Sequence, residues 1–294
     1  ANHPYGVADG ALLVALAIGP AVGLLVFFAW PFVTLMVEAV DATSVGDTLG
    51  RASTWEVLWF TAWQAVASTV LTIAIGLTPA YVLARFDFRG RTVLVGLLTA
   101  MFVLPTVVMG AAFLALLPDT LDRTVWAVLG AHVVFNLAVV VRVVGSLWEH
   151  LPTDMEAAAA TLGASRWQVA TRISLPLVRP AVTAAATIVF LFTFTSYGVI
   201  RILAAPGTRT IEVEVWRRAT QLGDIGGAAV LALLQLAVLV ALVWWSTVAQ
   251  RRHAQAIGLL PIAARRRPRR GGERRFVGIV ASATLLVAAT PLVA

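Results

Sequence analysis

The chain contains no cysteine and no lysine. Without cysteine there is no disulfide and no thiolate metal site. Without lysine there is no Walker A phosphate loop, because that motif needs its Lys on the phosphates. Any ATP hydrolysis tied to this chain therefore belongs to another subunit. Carboxylates are scarce as well: 15 Asp and Glu in 294 residues, placed between the apolar runs rather than well inside them. That argues against a secondary transporter or channel, which needs intramembrane carboxylates or a filter. A membrane scaffold or sensor stays open; its mark would be a soluble signalling domain elsewhere in the gene. No nucleophile–base–acid arrangement is visible. One histidine without Asp, Glu or Cys at ligand spacing is a poor metal site. Neither catalysis nor a resident metal or cofactor is expected, and nucleic acid is not an expected partner.

What is present is apolar. Hydrophobic residues make up 60% of the chain, charged residues 13%, and the mean hydropathy is +0.88. A soluble domain carries about 25% charged residues. The fold class is an all-α, polytopic membrane protein. Apolar runs cover about residues 11–37, 58–83, 93–117, 125–147, 181–200 and 227–249. Each supplies the roughly 20 residues that a helix needs to cross the hydrocarbon. Pro20 and Pro31 should kink or end the first run, and Pro105 lies inside the third. A seventh run begins at Phe276. The chain does not start with Met and stops inside that run, so both ends read as trimmed.

All 22 basic residues are arginine. With the N-terminus in the cytoplasm, the inner connections hold Arg85, Arg89 and Arg91, then Arg166, Arg172 and Arg179, then nine arginines from Arg251 to Arg275. The outer ones hold Arg51, Arg123, Arg201, Arg209, Arg217 and Arg218. That is fifteen against six, with Arg142 inside a span, and the bias sets the orientation. Residues 251–275 are broken by Pro261, Pro268, Gly271 and Gly272 and read as a linker rather than a helix. The stretch serves as a positive-inside anchor and hinge, and such a basic run also suits anionic lipid. The organisation expected is a six-span unit over 1–250, a linker over 251–275 and the start of a second half over 276–294.

Polar groups within the runs are few. His132 and Asn136 are four apart, so they share a helix face. Two readings stay open: they bridge helices, or they line a solute path. Arg142, further along, suits snorkelling. Phe194, Thr195, Ser196 and Tyr197 end an alternation of aromatics and hydroxyls that either lines the path or packs helices. Residues 210–218 read either as a surface helix or strand whose mixed charge and Trp216 suit an external partner, or as a solvated, interface-anchored loop.

Residues 151–180 are the one long segment with helix signals that cannot be a span. Thr153-x-x-Glu156 is a capping box that should start a helix at Asp154, and Gly163 suits the left-handed position that ends it. Ser165-x-x-Gln168 is a second capping box, opening a helix to about Ile173, after which Pro176 and Pro180 prevent easy continuation. Ala157, Ala158, Ala159 and Ala160 leave the first helix without bulk, so another backbone can approach it. Met155, Leu162, Trp167 and Ile173 supply apolar contacts. The segment reads as a docking element on the membrane surface.

This segment resembles the EAA loop of binding-protein-dependent ABC importer permeases. Gly163, Ile173, Leu175 and Pro176 fall at the family spacing. The family's Glu position falls on Ala157, with Glu156 one residue earlier. The resemblance implies an ATPase-coupling loop over 150–180, carried by Glu156, Ala157, Ala158, Gly163, Trp167, Ile173, Leu175 and Pro176. It implies a type I permease half of six spans, in the inner membrane, followed by the start of a seventh. Three further segments resemble thiamin importer permeases: 130–137, the surroundings of 194–197, and 210–213 with 228–236. Ferric-iron importer permeases are the runner-up. The implied partners are a pair of ABC ATPase subunits holding ATP and Mg, an extracytoplasmic solute-binding protein, a second permease half on the same full-length chain, and the lipid bilayer. On this reading Gly163→Val should disturb coupling, and replacing Glu156 with Ala should be milder.

Overall fold

The computed structural model describes residues 8–151, 153–253 and 265–293. Among them every regular element is helical. The chain divides into two compact units, residues 1–54 with 215–233, and residues 55–214 with 234–294.

In the first unit, α1 (Ala8–Leu24) continues through a π turn (Leu25–Ala29) into α2 (Trp30–Ala39). Pro31 does not end the run. It has no N–H to donate, and the wider π turn just ahead of it absorbs the misfit. The continuous stretch Leu16–Ala39 is long and apolar enough to cross a membrane, and Phe27, Phe28 and Trp30 are exposed along it. A short helix, α3 (Ala42–Gly50), is capped by Asp41, whose carboxylate accepts from the Ser44 N–H at 2.7 Å. Arg218 reaches Thr48 Oγ1 at 3.3 Å and Asp224 Oδ2 at 3.5 Å. A Cβ on Gly226 would lie 2.9 Å from the Ala39 carbonyl, so α2 approaches the start of α13 (Ile225–His253) backbone to backbone.

The second unit is built on α4 (Ala52–Arg85), α5 (Arg91–Val103), α6 (Thr106–Leu116), α7 (Val125–Glu149), α10 (Leu175–Phe194) and α14 (Gly271–Val293). Its core is the face of α7 bearing Leu137, Val140 and Val144, packed with Ala80, Leu98, Met101, Val178, Ala185 and Ala288. A Cβ on Gly76 would meet Val140 Cγ1 at 2.8 Å; the glycine lets α4 and α7 pack closely. A second cluster joins α6 and α7 to α11 (Gly198–Leu203) through Met109, Val128, Ala131 and Ile200. A Cβ on Gly198 would lie 2.6 Å from the Val107 nitrogen.

Three expectations about the spans are corrected. The third run is not one straight helix: α5 and α6 meet at 108°. Leu104 is extended (ψ 136°), the conformation a following proline favours, and Pro105 has no N–H to carry the ladder across the break. The fifth run does not start after Pro180. The short α9 (Arg166–Val169) passes through a π turn (Ala170–Ser174) directly into α10, with Pro176 in its first turn and Pro180 inside it. It ends at Phe194 rather than Ile200. The linker also ends earlier than expected. Helix α14 begins at Gly271, where Glu273 accepts from the Arg269 N–H at 3.3 Å and from Arg266 at 3.0 Å. Residues 254–264, with Pro261, and Ala294 lie outside the described residues. By length and composition, six helices among the described residues can span a membrane, or seven with the bent pair.

A candidate coupling loop and a buried polar seam

Helix α8 (Thr153–Thr161) opens the loop. The Thr153 and Asp154 side chains lie outside the described residues, but the rest of the local reading is visible. Gly163 has φ +85° with open space around it. The Ser165 N–H donates to Gln168 Oε1 at 2.8 Å, and the Gln168 N–H to Ser165 Oγ at 3.3 Å. That is the reciprocal capping box, and it starts α9.

Glu156 turns toward the membrane helices. Arg85, at the end of α4, pairs with Glu156 Oε1 through Nη2 at 3.0 Å, and Ser174 Oγ donates to the same oxygen at 2.9 Å. Arg85 Nη1 donates to the Leu151 carbonyl at 3.1 Å. One buried guanidinium thus grips the loop where it leaves α7 and on α8, and its carboxylate partner reaches the π turn ahead of α10. Neither Arg85 nor Ser174 carries a local signal. Arg85 reads as one more positive-inside charge, and its partner is 71 residues away.

Other side chains of the loop are apolar and open. Leu162 is 88% exposed, Trp167 77% and Met155 49%, with Ala157, Ala158, Leu175 and Pro176 also exposed and Ile173 half-buried. Beside Trp167 lies a cavity of about 720 Å³, bordered by Tyr81, Phe86, Trp148, Glu156 and Phe276.

The chain after the linker is tied to the same corner. The Arg266 N–H donates to the Arg85 carbonyl at 3.1 Å, and the Asp87 N–H to the Arg266 carbonyl at 3.0 Å. The Arg266 guanidinium sits 4.6 Å from the Phe86 ring centroid. Glu149 binds both Arg265 at 2.8 Å and Arg91 at 3.3 Å.

A polar seam lies inside the helices. Thr61, Gln64, Ser68 and Thr72, three or four apart on α4, are fully buried. His132 Nδ1 is 3.1 Å from Ser68 Oγ, and Nε2 is 2.9 Å from Ser196 Oγ. A neutral imidazole suits both contacts, as donor at one nitrogen and acceptor at the other. Gln64 Nε2 donates to the Thr193 carbonyl at 2.8 Å. The Ile211 N–H donates to Thr61 Oγ1 at 2.9 Å, so α12 (Ile211–Arg217) is fixed at its start rather than lying as a loose surface segment. Asn136 donates to the His132 carbonyl at 2.9 Å, while its Oδ1, like Gln64 Oε1, accepts no bond among the described residues. His132, Asn136, Phe194 and Ser196 are therefore packed between helices; Thr195 and Tyr197 are half-buried. Arg142 is exposed.

Residues 72–255 match the family described as the inner membrane component of binding-protein-dependent transport systems. The chain belongs to that family. A relative, the thiamine transport system permease protein ThiP of Salmonella typhimurium, is 29% identical over 206 residues. That match covers 64% of this chain and 38% of ThiP, so the chain spans well under half the length of that relative. The molybdenum transport system permease protein ModB of Mycobacterium bovis is 31% identical over 244 residues, covering 76% of this chain and 90% of ModB. Among solved structures, a chain of a bacterial alginate ABC transporter, crystallised with an alginate pentasaccharide-bound periplasmic protein, superposes with a TM-score of 0.70. It covers 85% of this chain and 97% of its own, at 16% identity, a likeness of fold. Membership in the family makes the chain a multi-pass permease component.

Proposed function

We propose that the chain forms one half of the membrane pathway of an ATP-driven importer fed by an extracytoplasmic binding protein. ATP and Mg are held by a pair of partner ATPase subunits. Residues 150–180 dock into one of them. The observation that carries this reading is a loop both fastened and exposed. The Arg85–Glu156–Ser174 clamp ties it to the membrane helices, while Met155, Leu162 and Trp167 stay exposed to a partner. Small Ala157 and Ala158 permit close approach, Gly163 sets the angle between the two short helices, and Ile173, Leu175 and Pro176 continue the loop into α10. The arginine bias supports a cytoplasmic N-terminus and a cytoplasmic loop. A second permease half follows on the full-length chain.

The solute is thiamin or a related small molecule, a reading supported by the likeness to ThiP and by the resembling segments around His132 and Ser196. Thr195 and Tyr197, the partly exposed members of that group, contact it. The buried members fasten the helices around them.

The test uses the full-length chain with its neighbouring ATPase and binding protein in reconstituted vesicles. Loop docking requires co-purification of the ATPase and hydrolysis stimulated by loaded binding protein; an ATPase that does not bind this chain would overturn it. Uptake of labelled molybdate or sulfate but not thiamin would overturn the solute alone. A reporter after Arg89 or Arg265 should be cytoplasmic, and one after Arg209 external.

A further inference from the structure

We infer that the arginine cluster at the foot of α14 is a binding site for an anionic phospholipid, taking the headgroup phosphate on its guanidinium groups and an acyl chain along the helix. Residues 265–275 hold seven arginines, and two of them build the site rather than fill it. Arg265 is held by Glu149, and Arg266 by Glu273 and the Phe86 ring. The backbone bonds between Arg266 and the α4–α5 turn fix the strap in place. The remaining cations point outward. Arg269, Arg270 and Arg275 are exposed, and their guanidinium groups have no acceptor among the described residues; Arg89 on the adjoining turn is in the same state. Arg274 reaches the Pro268 carbonyl at 3.3 Å and no carboxylate among the described residues. Arg267 lies 3.8 Å from Asp87, with both side chains largely exposed. Six cations are thus gathered beside one strap, with Asp87 the one weak counter-ion to them among the described residues.

Their depth follows from the helix. From Phe276 to the end of α14 there is no charged residue. Those residues rise about 27 Å, close to the hydrocarbon thickness of about 30 Å. Arg274 and Arg275 then stand at the level of the lipid phosphates. Ile279, Leu286 and Val293, which follow Arg275 on one helix face, are all exposed. A cationic head with an apolar stripe running into the membrane fits a phospholipid and not a free anion. A guanidinium binds phosphate oxygens in pairs, so the site is tighter than bulk attraction to a charged leaflet. The inference stands whether or not the chain works with an ATPase.

The experiment places the full-length chain in nanodiscs of phosphatidylcholine with a minor share of phosphatidylglycerol, and counts retained lipids by native mass spectrometry. Wild type should retain phosphatidylglycerol well above its bulk share. The combined variant Arg269→Gln, Arg270→Gln, Arg274→Gln and Arg275→Gln should lose that enrichment by about tenfold or more, and the matching Lys variant should keep most of it. Should the Gln variant fail to insert, wild type in rising salt gives the answer, because a contact made by several charges must release the lipid. No enrichment in wild type, equal enrichment in the Gln variant, or retention indifferent to salt would overturn the site. Displacement of the lipid by millimolar inorganic phosphate would overturn the lipid assignment in favour of a plain anion site.

Discussion

Replacing Glu156 with alanine should release the loop from the membrane helices. The substitution removes the acceptor for Arg85 Nη2 at 3.0 Å and for Ser174 Oγ at 2.9 Å. The Arg85 side chain is 6% exposed and its Nε has no partner among the described residues, so of their acceptors the guanidinium would keep the Leu151 carbonyl. Breaking a well-buried ion pair costs about 3–5 kcal/mol. Glu156 is 22% exposed on its side chain, so water recovers part of that, and about 2–3 kcal/mol is expected here. At 1.4 kcal/mol per factor of ten, the equilibrium between held and released loop shifts about 30- to 150-fold. Amide hydrogen exchange on the full-length chain in nanodiscs reads this directly, in peptides covering 155–174. Their exchange should accelerate by that factor while peptides from α7 stay unchanged. Glu156→Gln keeps an acceptor without the charge and should fall between. Exchange within about threefold of wild type in Glu156→Ala would refute the clamp, since even 1 kcal/mol shifts an equilibrium by more than that. The geometry argues for a larger effect than the mild one expected from the family spacing, because Glu156 is tied inward to Arg85 and Ser174.

Gly163→Val should cost about 1–2 kcal/mol through backbone strain alone, since no atom lies within 4 Å of the added Cβ; insertion should be normal, and ATPase co-purification or stimulated hydrolysis should fall. Gly198→Ala should be more damaging to the fold, because its Cβ would lie 2.6 Å from the Val107 nitrogen. A loss of about 1–3 kcal/mol is expected, readable as reduced yield and a lowered thermal midpoint in detergent. Asn136→Leu removes one bond and one unpartnered oxygen from the seam, so a change in stability below about 2 kcal/mol with transport retained is expected. Abolished transport with unchanged stability would put Asn136 on the solute path instead.

What was legible beforehand was local. Ser165 and Gln168 cap each other as their spacing requires, Gly163 takes the left-handed conformation, and the long apolar runs became helices. What stayed hidden was of two kinds. Long-range pairs such as Arg85 with Glu156, or Ser68 and Ser196 with His132, have no signature in a linear pattern, because nothing in either segment names its partner. Proline was the other. At Pro105 it broke a run into two helices at 108°, whereas Pro31 and Pro176 passed inside continuous helices. The difference lies in the residue before the ring: Trp30 and Leu175 stay helical, whereas Leu104 is extended. A π turn stands ahead of Pro31 and Pro176. Composition around a proline does not reveal which solution the backbone takes.

Since α9, the π turn and α10 run without a break from Trp167 to Phe194, the candidate docking residue and the residues beside Ser196 are two ends of one lever. Its 28 residues measure about 42 Å at helical rise. A tilt of about 5° around the midpoint would carry each end through about 2 Å, enough to part a hydrogen bond such as that between Ser196 and His132. A hinge at Pro176 would have absorbed such a tilt at the membrane surface. Here the helix continues through the π turn and past Pro176 instead, so Trp167 stands at one end of a continuous helix and Thr195 at the other, where the helix stops.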